Sequence, residues 1–137
     1  MNKETANVAY EDVRSDNSDT NWVVLKYDGN TIVIDSTGED YEEFTNKFSD
    51  DDRGFAFLRI ETGDEMSKRK KFALVTFIGT NVGALKRAKV STDKAQVKDV
   101  FKSFAIEILT NEKSDLRVDR IKAEVVKAGG ANYGTGC

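Results

Sequence analysis

The stretch from Lys71 to Ile78, "KFALVTFI", most constrains the fold, because it is apolar at nearly every position. A strand with one face in water alternates apolar and polar residues, whereas a strand covered on both faces does not. The stretch is therefore predicted to be an interior strand of a sheet with helices packed on both sides. Its start carries four cations in a row, Lys68, Arg69, Lys70 and Lys71. Burial of the strand does not explain these charges.

Periodicity and turn residues predict the other elements. Strands are expected at 22–27, 31–35, 55–61, 71–78 and 104–109, and helical regions at 3–14, 39–48, 82–102 and 114–128. The Asp28-Gly29 turn and the short link before Lys71 each force antiparallel pairing, whereas the connection of about 25 residues before the fifth strand permits a parallel crossover. We predict a single α/β domain of the α+β type over residues 1–137, with an ordered core at about 3–130.

Several local features carry their own predictions. Arg59 and Glu61 predict that one face of the third strand turns toward water near its end. Leu85 and Ala88 follow the period of the buried helix face, whereas Ser91, Thr92 and Asp93 predict a kink or a break, with Ser91 or Thr92 as a cap. Ser114 is predicted to cap the last helix, Gly129-Gly130 to end it, and residues 131–137 to form a mobile tail.

The residue inventory argues against an enzyme and against a bound metal or cofactor. The chain has no histidine, and its one cysteine is Cys137, so Ser-His-Asp catalysis, Cys-His catalysis and zinc–thiolate sites are excluded. A calcium loop that began at Asp50 would need glycine at its sixth position, where Phe55 stands. No phosphate-binding glycine motif is present. We predict no catalytic residues, no metal and no cofactor.

Composition also bounds the location of the protein. No apolar run approaches the roughly 20 residues that a membrane span needs, and the N-terminus lacks the apolar segment of a secretory signal. The cysteine usage suits a reducing compartment. We expect a cytoplasmic protein without stable membrane insertion.

The charge is unevenly distributed along the chain. Residues 1–53 hold 5 Lys and Arg against 14 Asp and Glu, whereas residues 54–137 hold 16 against 10. A basic surface on a protein of net charge −3 can attract an acidic partner. The candidate binding residues are the cations of two segments: Lys68, Arg69, Lys70, Lys71, Lys86, Arg87, Lys89, Lys94 and Lys98.

Cations in such runs could also bind nucleic acid or merely keep the protein soluble. Nucleic-acid binding is disfavoured because no reading motif is present and no row of aromatic residues interleaves the cations. The lysines between 86 and 102 could form only a solubilising helix face, as charged helix surfaces usually do. Together with the cluster at 68–71, they favour a shared binding face.

Four segments carry a family resemblance: "NWVVLKYDG", "DDDRGFAFLRIETGDEMSKRKKFALVTFIG", "GALKRAKVSTDKAQVKDVF" and "IKAEVVKAGGANY". Over roughly residues 3–133 the chain resembles the coactosins, a group within the actin-depolymerising-factor homology (ADF-H, ADF/cofilin) family. The resemblance implies a five-stranded mixed sheet between helices, with four antiparallel strands and a parallel fifth.

The resemblance also implies a function. Coactosins bind filamentous actin with little affinity for the monomer, do not sever or depolymerise filaments, and have been linked to opposing barbed-end capping. The cluster at 68–71 matches the filament-binding segment of the family, with Lys71 ranked first, and the region 84–102 matches its actin-facing helix. We expect a monomer associated with the actin cytoskeleton.

The chain departs from the cofilin pattern at two places. No serine follows the initiator methionine, which puts a phosphorylation switch there in doubt, and "LKRAKV" lacks a methionine found in cofilins, which fits weak monomer binding. Two alternatives use the same basic face. One is a regulatory scaffold that binds another acidic protein, and the other is a phosphoinositide-sensing surface.

Overall fold

The computed structural model describes the backbone of residues 1–64 and 66–136 and the side chains of residues 1–63 and 66–129. Cys137 lies outside the described residues. The elements, in chain order, are α1 (Lys3–Arg14), β1 (Trp22–Asp28), β2 (Thr31–Gly38), α2 (Tyr41–Thr45), β3 (Arg53–Asp64), β4 (Ser67–Ile78), α3 (Ala84–Val100), β5 (Ile106–Thr110), a 3₁₀ helix (Lys113–Leu116) and α4 (Val118–Gly136).

The strands form one mixed sheet of five strands in the order β2-β1-β3-β4-β5. The pairs β1–β2, β1–β3 and β3–β4 are antiparallel, and β4–β5 is parallel. The two-residue turn between β1 and β2 needs Gly29, whose φ is 62°. The predicted five-stranded mixed sheet is confirmed, and β4 is an interior strand.

Each face of the sheet has its own core. Even-numbered residues of β4, such as Leu74 and Ile78, pack with α1 and α3, whereas Ala73, Val75 and Phe77 pack with α2 and α4. Because successive side chains of a strand point to opposite faces, an apolar residue is needed at almost every position between 72 and 78. The prediction that β4 is covered on both sides is therefore confirmed.

The strand β4 begins at Ser67, four residues earlier than the apolar pattern predicted. The four cations lie within the strand and pair with β3, and they are not a separate segment at the exit of the hairpin. The hydrogen bonds of a strand pair involve only the backbone, so the pairing can continue where the side chains turn polar.

The helix α3 is one unbroken helix of 17 residues, so the predicted break is wrong, whereas the kink stays a prediction. The Thr92 hydroxyl donates to the carbonyl of Ala88, 3.2 Å away, and is thereby satisfied without interrupting the helix. The prediction that Leu85 and Ala88 belong to the buried face is also wrong, since both are exposed, Leu85 at 88%. The buried positions of α3 are Val90, Val97 and Val100.

The boundaries of the last helix also differ from the prediction. Ser114 lies in the 3₁₀ helix and does not cap α4, which begins at Val118 and runs past Gly129-Gly130 to Gly136. Glycine permits a left-handed helix end but does not impose one. A mobile tail at 131–137 stays a prediction.

Arg59 is buried, so the prediction that it faces water is wrong, whereas Glu61 on the same face is exposed, as predicted. The residue is 7% exposed, and its guanidinium donates to the carbonyls of Val13, Ser15, Ser18 and Thr20 at 2.8–3.1 Å. These carbonyls belong to the end of α1 and the connection to β1, which therefore cover this part of β3.

Candidate functional site

The cation cluster lies on the part of the β3–β4 hairpin that extends beyond the core. Residues 67–71 are all exposed, whereas residues 73–78 are all buried. Lys68, Arg69, Lys70 and Lys71 pair in register with Gly63, Thr62, Glu61 and Ile60 of β3. The cations thus lie on a regular strand pair. The part of β4 that follows them, residues 73–78, is buried in the two cores.

Strand geometry divides the cluster between two faces. Lys68 and Lys70 share the parity of Phe72, which packs against the α1–α3 core, and Arg69 and Lys71 share the parity of Ala73, which belongs to the α2–α4 core. The structure therefore does not place all four cations on one face. It arranges them as two pairs on opposite sides of the hairpin.

The pair on the α1–α3 side is engaged within the molecule. The Lys70 ammonium lies 2.7 Å from Asp16 Oδ1, and the Lys68 ammonium lies 3.6 Å from Glu61 Oε1. The hydrogen bond from Lys70 lowers the pKa of the Asp16 carboxyl. Lys71, in contrast, forms no ion pair with any residue whose side chain is described.

An aromatic cluster fixes the base of the hairpin. Phe72, directly after Lys71, stacks on Phe57 with ring centroids 5.4 Å apart, and Phe57 lies 5.5 Å from the ring of Phe101 at the end of α3. The Arg14 guanidinium lies 4.8 Å from the centroid of Phe72 on the same side. The end of α3 and the base of the hairpin are thus packed together.

The start of α3 lies at the opposite end of β4. Arg53, which pairs with Ile78, is 8% exposed and donates to the carbonyl of Lys86 at 3.1 Å. The helix therefore runs antiparallel to β4. Lys86 and Arg87 are exposed in its first turns, next to the exposed Leu85.

The middle of α3 is tied to β1 by a polar contact. Asp93 accepts a hydrogen bond from the Tyr27 hydroxyl at 2.8 Å and lies 3.1 Å from the Lys89 ammonium. Burial, followed by the hydrogen bond to Asp93, raises the pKa of Tyr27. The Asp93 carboxylate partly neutralises the charge of Lys89.

The last lysines of α3 are tied to β5. Lys94 and Lys98 lie 3.2 and 2.6 Å from the two carboxylate oxygens of Glu107. Partial burial on its own raises the pKa of Glu107, but the hydrogen bonds from Lys98 and Lys94 outweigh it, so the pKa lies below its usual value. These two lysines orient the helix on the sheet as well as contributing charge.

The predicted site residues follow α3 and the protruding hairpin as a strip and not a compact patch, with Arg69 and Lys71 on the hairpin face opposite to α3. The 12 steps from Lys86 to Lys98 advance about 18 Å along α3, and the four steps from Lys68 to Phe72 add about 13 Å along the strand. The strip is thus on the order of 30 Å long. Its least neutralised members are Lys86 and Arg87 at the start of α3 and Lys71 at the base of the hairpin, none of which forms an ion pair among the described side chains.

Sequence reasoning missed the residues that position the cations. Arg53, Asp16 and Glu107 each contact a candidate residue or its backbone from another part of the fold, and no local pattern signals such contacts. The pair Lys89–Asp93 could have been found, since residues four apart are neighbours on a helix.

Two other classes of site are not found among the described residues. These residues contain no group of three or more acidic or thiol side chains placed to hold a metal ion. Among the described helices, none combines the length and the apolar character that crossing a membrane requires.

Comparisons with known proteins match this sequence and this fold. Residues 1–126 match the model of the cofilin/tropomyosin-type actin-binding proteins. The human coactosin-like protein is 51% identical over 133 residues, which cover 97% of this chain and 94% of the relative.

Two solved structures are similar along almost the whole chain. A crystal structure of the human coactosin-like protein superposes with a TM-score of 0.88 at 49% identity, covering 92% of this chain and 96% of the other. The solution structure of mouse coactosin, described as an actin filament binding protein, has a TM-score of 0.79 at 49% identity and covers 98% of this chain and 94% of the other.

The mixed sheet between two helical layers is the fold of the actin-depolymerising-factor homology domain. The chain belongs to the cofilin/tropomyosin-type family of actin-binding proteins. Within that family it is grouped with the coactosins, as the sequence resemblance predicted.

Proposed function

We propose that this protein binds the side of filamentous actin through the cationic strip formed by the β3–β4 hairpin and α3. The observation that carries the proposal is Lys71, an exposed cation without an ion pair among the described side chains, on a strand fixed in two cores. The description of mouse coactosin as a filament-binding protein supports it.

The contacts of the strip are individually weak. An exposed ion pair contributes about 0.2–1 kcal/mol, so useful affinity requires several pairs at once. Binding to two neighbouring filament subunits would add avidity. The exposed Leu85 offers apolar area beside Lys86 and Arg87. The proposed affinity is micromolar and decreases with salt.

The protein acts on actin filaments by binding them and catalyses no reaction. The protein attaches to filaments without severing or depolymerising them, has little affinity for monomeric actin, and opposes barbed-end capping. It works as a monomer in the cytoplasm, on the actin cytoskeleton. The stretch "LKRAKV" in α3, which lacks the methionine of cofilins, supports the weak binding of the monomer.

A comparison of Lys71→Ala with Lys70→Ala tests the proposal. Both variants remove one exposed cation from the same strand, but Lys70 is already engaged by Asp16 at 2.7 Å. Lys71→Ala is expected to raise the dissociation constant for filaments about threefold to fivefold, and Lys70→Ala by less than about twofold, given the usual strength of exposed pairs. Co-sedimentation with polymerised actin measures both constants.

Thermal unfolding provides the control, since neither exposed side chain contributes to the core and both melting temperatures should match that of the wild type. Equal losses of affinity for the two variants would remove the special role of Lys71. No loss for either would reject the hairpin as the binding element.

A further inference from the structure

A serine directly precedes the cation cluster of the hairpin. Ser67 is the first residue of β4 and is followed without a gap by Lys68, Arg69, Lys70 and Lys71. Its side chain is exposed, as are those of the four cations. Basic residues directly C-terminal to a serine complement the acidic substrate groove of one class of Ser/Thr protein kinases.

The backbone around Ser67 has the shape that such a groove accepts. Residues 67–71 are extended, as strand residues are. They pair with β3 on one side, whereas the register with β5 begins only at Ala73. The segment is thus an extended strand at the edge of the molecule, and an extended partner can lie along it.

We propose that Ser67 is a phosphorylation site through which a basic-directed Ser/Thr kinase switches the hairpin. The Ser67 hydroxyl oxygen forms a bond to the γ-phosphorus of ATP while the bond from that phosphorus to the bridging oxygen of ADP breaks. ADP leaves with the electron pair, and the hydroxyl proton passes to the catalytic carboxylate of the kinase.

The phosphate would act on Lys71, the cation on which the proposed filament binding depends most. By strand parity, Ser67 lies on the same face of the hairpin as Arg69 and Lys71. Phosphorylation adds a charge of about −1.5 to −2, which offsets roughly two of the cations and repels an acidic partner. This consequence rests on the proposed filament binding, whereas the modification itself does not.

The first experiment tests the site. The full chain is incubated with ATP and the catalytic domain of a kinase that selects Lys and Arg C-terminal to its acceptor, and the product is mapped by mass spectrometry. One phosphate is expected on the peptide that contains Ser67, and none on that peptide in Ser67→Ala. Phosphate found only at other residues, or at none, overturns the assignment.

The second experiment tests the consequence. Phosphoserine is installed by genetic code expansion at residue 67 or, as a matched control, at the exposed Thr37 on the far edge strand β2. In co-sedimentation with polymerised actin, phosphoserine at 67 should raise the dissociation constant at least about fivefold, from the charge it adds. Phosphoserine at 37 should change the constant by less than about twofold, because charges beyond a Debye length are screened.

The outcomes separate the two proposals. If unmodified protein binds filaments and phosphoserine at 67 leaves the affinity unchanged, the switch is wrong and the proposed function stands. If unmodified protein does not bind, the proposed function fails, and the phosphate map alone decides whether Ser67 is modified.

Discussion

Replacing Arg59 by methionine is expected to lower the free energy of unfolding by about 3–5 kcal/mol, because backbone carbonyls around it would lose a charged hydrogen-bond donor. The guanidinium donates to the backbone carbonyls of Val13, Ser15, Ser18 and Thr20. Without the donor these acceptors lose their partners, and each one that stays buried costs about 1–3 kcal/mol. Urea unfolding followed by tryptophan fluorescence measures the loss, since Trp22 is fully buried.

A second arginine supplies the control for Arg59. Arg117 is 59% exposed in its side chain and forms one ion pair, with Asp119 at 3.0 Å. Arg117→Met should change the stability by no more than about 0.5 kcal/mol. A loss below about 1 kcal/mol in Arg59→Met would mean that the end of α1 does not depend on this network.

Reversing the charge of Arg69 and Lys71 together is expected to weaken filament binding roughly 100-fold. Each substitution to glutamate removes an attraction and introduces a repulsion of similar size, so two reversals amount to about 0.8–4 kcal/mol, a range that contains the roughly 2.7 kcal/mol of a 100-fold loss. Both side chains are exposed and share one face of the hairpin, so the fold should be retained. Co-sedimentation and thermal unfolding, measured on the same preparation, separate binding from stability.

The matched control reverses two cations that are not among the candidate residues, in the connection between β5 and α4. Lys113 and Arg117 are exposed around the 3₁₀ helix, and Lys113→Glu with Arg117→Glu changes the net charge by the same amount. If both double variants lose affinity equally, the net charge of the protein governs binding, and the position of the cations does not.

Much of the fold could be predicted because the apolar patterns are strong. The run at 71–78 identified an interior strand, and the Asp28-Gly29 turn identified the first hairpin. Boundaries were less predictable, because backbone pairing does not require apolar side chains. For that reason the start of β4 at Ser67 went unpredicted although it carries the cations.

The candidate residues could be found from the sequence, but their electrostatic state could not. A run of charged residues such as Lys68–Lys71 can be read directly from the sequence. The partners that neutralise Lys70, Lys94 and Lys98 are Asp16 and Glu107, which the fold brings close from other elements. Arg59 was misjudged for the same reason, since the carbonyls around it lie about 40 residues earlier, at sequence separations of 39–46.

The central claim is that an electrostatic strip attaches this protein to actin filaments, and a salt-titrated co-sedimentation of the wild-type protein tests it most directly. We expect micromolar binding in dilute buffer that weakens steadily as the Debye length falls from about 30 Å at 0.01 M salt to about 8 Å at 0.15 M. Protein that stays in the supernatant in dilute buffer, or that binds equally at every salt concentration, would contradict it.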